Sequence, residues 1–493
     1  MDFLDPKKKR AHAIRLMIGY VLVAIALILA TTLLLFAALG YGINRTTGEV
    51  TQNGLVFVDA HPEQAKILLN GQDRGQTDGR FVLETGNYSI ELQRDGYRGW
   101  KRDFVVNGGS IVRLVYPFLF PSNLESKDIL TATTTTPDVV TESPDRHWAI
   151  THYPDALPTF QVVDTSTKLN VSVPITVPTA IFGTHKGAQT LEFTEWSTDN
   201  KHLLLKHLYE GGYDYLLIDR EAPEKSINIA QALGRTSTRV TLRDKQADQL
   251  YTLDANGGVL QAVNLKDKSA TTVADGVLEY WPYKENIAIY TTAKDASAGK
   301  VNVRIKDGSN NYLLREIVVG PKYLLNVAEF DGDMYLIAGS SADGKAYMYR
   351  NPLTAFKKND PSLNIPLLLL KLDNPDSVTF SANARFVALQ AGSKFEVYDA
   401  EVKQQYRYDM QLPLDTGQKV NWMDGHRMML VSKGKMEVFD FDGLNRQTLV
   451  STSPAFIPMF DRDFTAMFTY GPSAGTDPTK SSLVRTELKV IKK

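Results

Sequence analysis

The chain has 493 residues, of which 43% are hydrophobic and 23% are charged. This balance is ordinary for a globular protein and excludes a wholly disordered or collagen-like chain. The formal net charge of −1 argues against nucleic acid as a dedicated partner. Because the chain contains no cysteine, it has no disulfides, thiolate metal sites or cysteine nucleophiles.

An apolar helix is predicted near the N-terminus. Five basic residues lie within residues 1–15, and residues 16–43 carry no charged side chain. A helix needs about 20 apolar residues to cross a bilayer, so residues 16–43 are predicted to be a transmembrane signal-anchor helix. Since positive residues stay in the cytoplasm, residues 1–15 are predicted to be a cytoplasmic basic tail, with the bulk of the chain outside. A cleaved signal peptide is the alternative, although its apolar region is usually shorter.

Short runs of alternating apolar residues follow the helix. One such run contains Tyr88, Ile90 and Leu92, and an Asn70-Gly71 pair follows an earlier run. Alternation with a period of two predicts strands with one buried face, and Asn-Gly is a favoured hairpin turn. Residues 54–121 are therefore predicted to form a small antiparallel β-sandwich.

The same region resembles the PEGA domain family. The resemblance rests on three segments, which are Pro62-Glu63-Gln64-Ala65, Gly86-Asn87-Tyr88 and Asp95-Gly96-Tyr97. It implies a noncatalytic β module of prokaryotes that is usually extracytoplasmic, and it implies no active-site residues. Gln64 stands where the family motif has glycine, which indicates that this turn does not need a positive φ angle.

A stretch rich in threonine and proline comes next. Residues 131–137 and 140–144 contain most of these residues. Such a composition buries little apolar surface, so residues 122–145 are predicted to be an extended linker or a glycosylated spacer.

A loose repeat then recurs to the C-terminus. Each unit has an aromatic residue, a polar turn, an apolar run, a second turn and an aromatic-rich strand that often ends in aspartate. The clearest copies begin at Trp196, Phe330, Phe380 and Trp422, and weaker copies begin near Trp148, Asp248, Trp281 and Phe460. Periods of about 40–50 residues are typical of propeller blades with four strands each.

These anchors predict a large β-propeller of seven or eight blades over residues 146–493. The segment from Trp196 to Leu205 resembles TolB-type and related WD40-like propellers. Two stacked β domains are the alternative. The predicted fold class is mainly β, with one N-terminal transmembrane helix, a small PEGA-like β-sandwich and the propeller.

No catalytic, cofactor-binding or metal-binding residues are predicted. Residues 471–475 match the G-x-S-x-G pattern of hydrolases, but a loop follows them and no histidine comes later. We interpret them as part of a loop between the last strands. Asp331-Gly332-Asp333 is predicted to be a hairpin turn and not part of a calcium loop. His202 and His207 match no zinc-binding pattern.

The sequence thus predicts a single-pass membrane protein with an extracytoplasmic binding or scaffold function in the prokaryotic cell envelope. The expected partners are the membrane and an envelope protein or polysaccharide, recognised by the propeller. No enzymatic activity, cofactor or nucleic-acid partner is expected. The alternative is an extracytoplasmic glycosidase or lyase with its site on the propeller face, marked by titratable groups with perturbed pKa values. A sensor that signals inward is a third possibility, and it would need a membrane partner.

Overall fold

The computed structural model of the protein describes residues 6–38, 40–43, 48, 50–254, 257–358, 360, 364–414, 418–475, 477 and 479–490. The chain divides into two compact units, one within residues 1–123 and 489–493 and the other within residues 124–488. The fold is mainly β, as predicted, with one long apolar helix near the N-terminus.

The long helix α1 spans Pro6–Ala38. Its segment Lys9–Phe36 has a mean hydropathy of 2.6 and is not buried, so by length and composition it can cross a membrane or act as a signal sequence. The helix starts within the predicted basic tail, because lysine and arginine are good helix formers. It ends before the predicted boundary at residue 43, since Gly40 has a φ angle of +80° and a strand follows.

The described part of the first unit also contains nine strands. They are β1 (Tyr41–Ile43), β2 (Val50–Gln52), β3 (Gly54–Val58), β4 (Lys66–Leu69), β5 (Gln72–Gln76), β6 (Gly79–Leu83), β7 (Gly86–Gln93), β8 (Trp100–Val106) and β9 (Ile111–Leu114). Strands β1 and β2 pair with each other. The remaining strands form two sheets, with the orders β6-β3-β9 and β5-β4-β7-β8.

The small β domain differs from its prediction in two details. Strand β3 pairs in parallel with β9, so the sandwich is not wholly antiparallel. These are the first and last strands of the domain, and the intervening strands provide the crossover that a parallel pair needs. Gln64 has a φ angle of +63°, so the expectation that this turn does not need a positive φ angle is wrong. Hydrogen bonds between Ala65 and Thr77, at 2.8 and 3.0 Å, hold this turn despite the side chain at position 64.

The Asn70-Gly71 turn is confirmed. Both residues have positive φ angles, +50° and +78°, and they join β4 to β5 as a two-residue hairpin. The two sheets enclose one hydrophobic cluster, which includes Val56, Ile67 and Trp100.

The second unit contains eight described sheets of four strands each, which are the blades of a β-propeller. Blades 1 to 4 are β11 (Val139–Glu142), β12 (Trp148–His152), β13 (Thr159–Asp164), β14 (Ser172–Thr176); β15 (Thr190–Trp196), β16 (His202–Tyr209), β17 (Gly212–Asp219), β18 (Ile227–Asn228); β19 (Arg239–Leu242), β20 (Gln249–Leu253), β21 (Leu260–Asn264), β22 (Ala270–Ala274); and β23 (Val277–Tyr283), β24 (Ile287–Thr292), β25 (Lys300–Asp307), β26 (Asn310–Val318).

Blades 5 to 8 follow in chain order, and blade 8 takes its outermost strand from the start of the unit. They are β27 (Tyr323–Phe330), β28 (Asp333–Ser340), β29 (Lys345–Arg350), β30 (Leu368–Lys371); β31 (Ser377–Phe380), β32 (Phe386–Ala391), β33 (Lys394–Asp399), β34 (Gln404–Asp409); β35 (Asn421–Trp422), β36 (Arg427–Ser432), β37 (Lys435–Asp440), β38 (Gln447–Ser451); and β39 (Met459–Phe460), β40 (Ala466–Pro472), β41 (Ser481–Glu487), with β10 (Ser126–Asp128).

Short helices lie in the connections between strands. Those in the described residues are α2 (Ile229–Leu233), α3 (Pro352–Lys357) and 3₁₀ turns at Pro154–Ala156, Thr179–Phe182, Pro223–Lys225 and Arg243–Lys245.

The ring closes through β10. This strand pairs antiparallel with β41, so a segment from the start of the unit completes the blade built at its end. Residues 122–145 are therefore not a linker, because they contain β10 and β11. Threonine, which made this stretch look like a spacer, is also a favourable strand residue. Thr133, for example, bridges to Ser481.

Aromatic anchors pack in the seams between blades. Trp196 is buried and donates a hydrogen bond from Nε1 to Thr141 Oγ1 on the preceding blade, at 3.1 Å. Trp422 makes the same contact with Thr379 Oγ1 at 3.0 Å. The eight anchors found in the sequence each lie in a different blade. The described residues form eight blades, the larger of the two predicted numbers.

Candidate functional site

Two kinds of loop meet at one end of the blades. One kind connects the outermost strand of a blade to the innermost strand of the following blade. The other is the turn between the second and third strands within a blade, and because the strands are antiparallel it lies at the same end. We call the surface made by these loops the connection face. Loops that converge from several blades commonly form binding sites on propellers.

A cavity of about 410 Å³ opens on the connection face beside blade 1. It lies between the connection from β10 to β11 and the turn from β12 to β13. Its lining residues are Ile129, Leu130, Thr131, Thr133, Thr135, Tyr153, Asp155, Ala156, Gln161 and Ser172. Hydroxyl, amide and carboxylate groups therefore face the cavity together with one aromatic ring.

The polar groups of this cavity are held by local hydrogen bonds. Ser172 Oγ donates to Gln161 Oε1 at 3.0 Å, and the backbone N–H of Thr135 donates to Thr133 Oγ1 at 3.1 Å. Burial, with Tyr470 beside it, raises the pKa of Tyr153 far above its ordinary value. Tyr153 therefore stays a neutral phenol, which can both donate and accept hydrogen bonds.

Glu142, the last residue of β11, carries a carboxyl group that lies outside the lining of this cavity. Burial raises the pKa of Glu142 to about 7, although the Arg146 charge and the backbone N–H of Phe460 oppose the shift. Glu142 Oε2 accepts the hydrogen bond from Phe460 N at 3.2 Å, so this group joins blade 1 to blade 8. Its position indicates a role in the seam.

Two larger cavities, of about 620 and 500 Å³, lie at the opposite ends of the blades. Each contains an ion pair among its lining residues. Arg350 pairs with Asp333 in the first, and Lys266 pairs with Asp248 in the second at 2.7 Å. A ligand that binds any of these four side chains would compete with its ion-pair partner.

One group of described residues has the chemistry to hold a metal ion. His185, His207 and Asp214 each offer a ligand atom, and these atoms lie within 4.8 Å of one another. Sequence spacing did not reveal this cluster, because His185 lies in the connection before β15 while the other two lie on β16 and β17. The signal that would have found it is the hairpin register, which pairs His207 with Asp214.

The remaining motifs lie at turns or strand ends, and of residues 471–475, predicted to be a loop, Gly471 and Pro472 instead end β40. Ser473, from the G-x-S-x-G match, lies after β40 and donates from Oγ to Asp128 Oδ2 at 2.6 Å. Asp331 and Gly332 form the turn between β27 and β28, with φ angles of +50° and +77°.

Comparison with known families supports the resemblance to the PEGA domain family. Residues 53–118 match the PEGA domain, which confirms the resemblance drawn from the motifs around Gln64 and Gly86. The search of curated proteins found no match to this chain.

Solved structures similar to this chain include a dehydrogenase, a lyase and Hsv2. The dihydro-heme d1 dehydrogenase NirN is 13% identical, with 64% of this chain and just under two thirds (66%) of that chain covered, at a TM-score of 0.42. An oligogalacturonate lyase in complex with manganese is 12% identical, with 74% and 99% covered and a TM-score of 0.39. Kluyveromyces lactis Hsv2 is 10% identical, with 64% and 98% covered and a TM-score of 0.39. At these TM-scores, no functional argument follows from the likeness.

Proposed function

We propose that this protein is a membrane-anchored recognition protein of the prokaryotic cell envelope, whose propeller binds an envelope polysaccharide on its connection face. The observation that carries this proposal is the cavity of about 410 Å³ with its polar lining. Hydroxyl, amide and carboxylate side chains are matched to ligands that both donate and accept hydrogen bonds, as sugars do. An envelope protein is the second class of ligand that such a face can bind.

The membrane helix and the PEGA domain support an extracytoplasmic location. The uncharged span, residues 16–43, is 28 residues long, which exceeds the usual apolar region of a cleaved signal peptide. Five basic residues precede the span in residues 1–15, so the positive-inside rule places the N-terminus in the cytoplasm. In this topology both β units lie outside the membrane, with α1 as a single-pass anchor.

The cavity supports binding more directly than glycoside hydrolysis. Asp155 is the carboxylate among its described lining residues. Hydrolysis by most glycosidases uses two carboxyl groups on opposite sides of the scissile bond. The cavity therefore provides groups that hold a sugar but not the acid–base pair that would cleave it.

Capture of envelope polysaccharide tests the proposal. The full chain, purified in detergent, is immobilised and exposed to polysaccharide fractions of its native envelope. We expect one fraction to bind, and we expect Gln161→Leu and Asp155→Ala to weaken binding at least tenfold. Gln261→Leu is the matched control, since Gln261 holds the corresponding position on the third strand of blade 3.

The proposal fails if no fraction binds or if the cavity variants bind as well as the control. Release of shortened sugar chains during the incubation would instead favour the enzyme hypothesis. Capture of an envelope protein, weakened by the same two substitutions, would retain the cavity as the site and change the ligand class.

A further inference from the structure

We propose that His185, His207 and Asp214 bind one divalent transition-metal ion of the zinc type on the connection face of blade 2. This site is separate from the polysaccharide cavity and goes beyond the proposed function. Two imidazoles and one carboxylate are a ligand set that zinc accepts, and catalytic or exchangeable zinc sites commonly have three protein ligands. The argument rests on the positions of these groups and of the residues that hold them.

The spacing of the ligand atoms suits a shared ion. His207 Nδ1 lies 3.0 Å from Asp214 Oδ1. Two donors at about 2.0–2.1 Å from a tetrahedral ion are about 3.3 Å apart. The three ligand atoms lie within 4.8 Å of one another, so a small movement of the His185 loop completes the set.

Outer hydrogen bonds fix the orientation of the two buried ligands. Gln189 Oε1 lies 2.8 Å from His207 Nε2, so the imidazole can donate there while Nδ1 faces the ion. Asn228 Nδ2 donates to Asp214 Oδ2 at 2.7 Å, which leaves Oδ1 for the ion. Metal-binding histidines and carboxylates usually have such partners, and these partners raise metal affinity.

His185 completes the site from the surface. Its ring stacks on Tyr209 with a centroid separation of 3.5 Å and lies edge-on to His207 at 5.7 Å. The side chain of His207 is fully buried, whereas His185 is partly exposed. The ion therefore enters from the connection face, where a water molecule can occupy the remaining coordination position.

A simple histidine–aspartate hydrogen bond would also explain the contact between His207 and Asp214. That explanation assigns no role to His185, and the metal site requires it. Substitution of His185 therefore separates the two explanations, and because His185 is partly exposed on a loop, we expect the variant to keep its fold.

Metal titration of the full chain tests the proposal. The protein is purified in detergent without a histidine tag, stripped with a chelator and titrated with Zn²⁺ by calorimetry. Co²⁺ is then added as a spectroscopic probe of four-coordinate geometry. We expect one ion per chain, and we expect His185→Ala and Asp214→Asn to weaken binding at least tenfold. His147→Ala is the matched control, because His147 lies in the turn between β11 and β12, away from this cluster.

Thermal unfolding provides a second readout. Excess Zn²⁺ should raise the unfolding midpoint of the wild type and of His147→Ala, because a ligand that binds only the native state stabilises it. The midpoint of His185→Ala should not move. Absence of stoichiometric binding to the wild type, or equal binding to His185→Ala, would overturn the proposal.

Discussion

The small β domain and the propeller build their interiors differently. The core of the small domain is one cluster of apolar side chains, among them Val56, Ile90 and Trp100. Among the described residues, every buried polar or charged side chain lies in the propeller, from Thr141 onward. The interior of the small domain is therefore apolar, whereas the propeller also buries polar and charged side chains that need partners.

The buried polar groups of the propeller join neighbouring blades. Glu195 on blade 2 accepts a hydrogen bond from the backbone N–H of Leu242 on blade 3, at 2.5 Å. Glu396 on blade 6 accepts one from the backbone N–H of Lys371 on blade 5, at 2.7 Å. Apolar contacts are non-directional, so such bonds help to fix how adjacent blades align. The comparison teaches that the seams of this ring use buried polar side chains to align the blades, whereas the small sandwich encloses an apolar core.

The largest expected effect is on the small domain. Trp100 is 1% exposed, and Trp100→Ala should destabilise that domain by about 3–5 kcal/mol, because it removes a large apolar side chain and leaves a cavity. Hydrogen exchange of the full chain should show loss of protection over residues 54–114 with the propeller unchanged. Val82→Ala, at a site that is 64% exposed, is the control and should have little effect. Loss of protection in both units would contradict the claim that the small domain and the propeller have separate interiors.

The second-largest expected effect is a dependence of propeller stability on pH. Burial raises the pKa of Glu142 from 4.5 to about 7, so the folded protein holds a proton that the unfolded chain releases. The contribution of this group to stability is fully present below pH 4.5 and is lost as the pH rises through about 7. The loss amounts to about 3 kcal/mol.

Glu142→Gln should remove this dependence. The difference in unfolding free energy between wild type and variant, measured from pH 4 to pH 8, cancels the contributions of other groups. We expect that difference to change by about 3 kcal/mol over the range. A constant difference would show that Glu142 titrates alike in the folded and unfolded states.

A smaller effect is expected at β10, the strand that closes the ring. Lys127 pairs with Arg485 in the β10–β41 ladder. Lys127→Pro removes the backbone N–H and should cost on the order of 2 kcal/mol of propeller stability. Lys127→Ala keeps the backbone donor and is the matched control. Equal midpoints for the two variants in urea unfolding would mean that β10 does not help to close the ring.

The smallest effect compares two glycines of the small domain. Gly71 and Gly96 have φ angles of +78° and +81°. An added Cβ at Gly71 meets open space, but at Gly96 it lies 3.2 Å from Val490 Cγ2. Gly71→Ala should cost about 1 kcal/mol from backbone strain, and Gly96→Ala should cost more. A smaller loss of thermal stability for Gly96→Ala than for Gly71→Ala would indicate that the Val490 side chain moves aside at no cost in free energy.

The sequence predicted features that local patterns encode. The eight anchors, seven of them aromatic, located the eight described blades, because residues such as Trp196 and Trp422 repeat the same seam contact. The Asn70-Gly71 pair located a hairpin, because few other residues adopt two successive positive φ angles.

Features that depend on distant segments were missed. Strand β10 is only three residues long and pairs with β41 more than 350 residues later, so no local pattern marks it. The parallel pairing of β3 with β9 likewise depends on how the domain folds back. The cluster of His185, His207 and Asp214 needs both a hairpin register and the path of a loop between blades.

Hydrogen exchange with bound ligand tests the central claim most directly. The full chain in detergent is compared with and without the envelope polysaccharide fraction that it captures. We predict new protection over residues 129–135 and 153–161, which line the cavity on the connection face. Protection confined to the small β domain, or to the opposite ends of the blades around residues 331–335, would contradict recognition by this face.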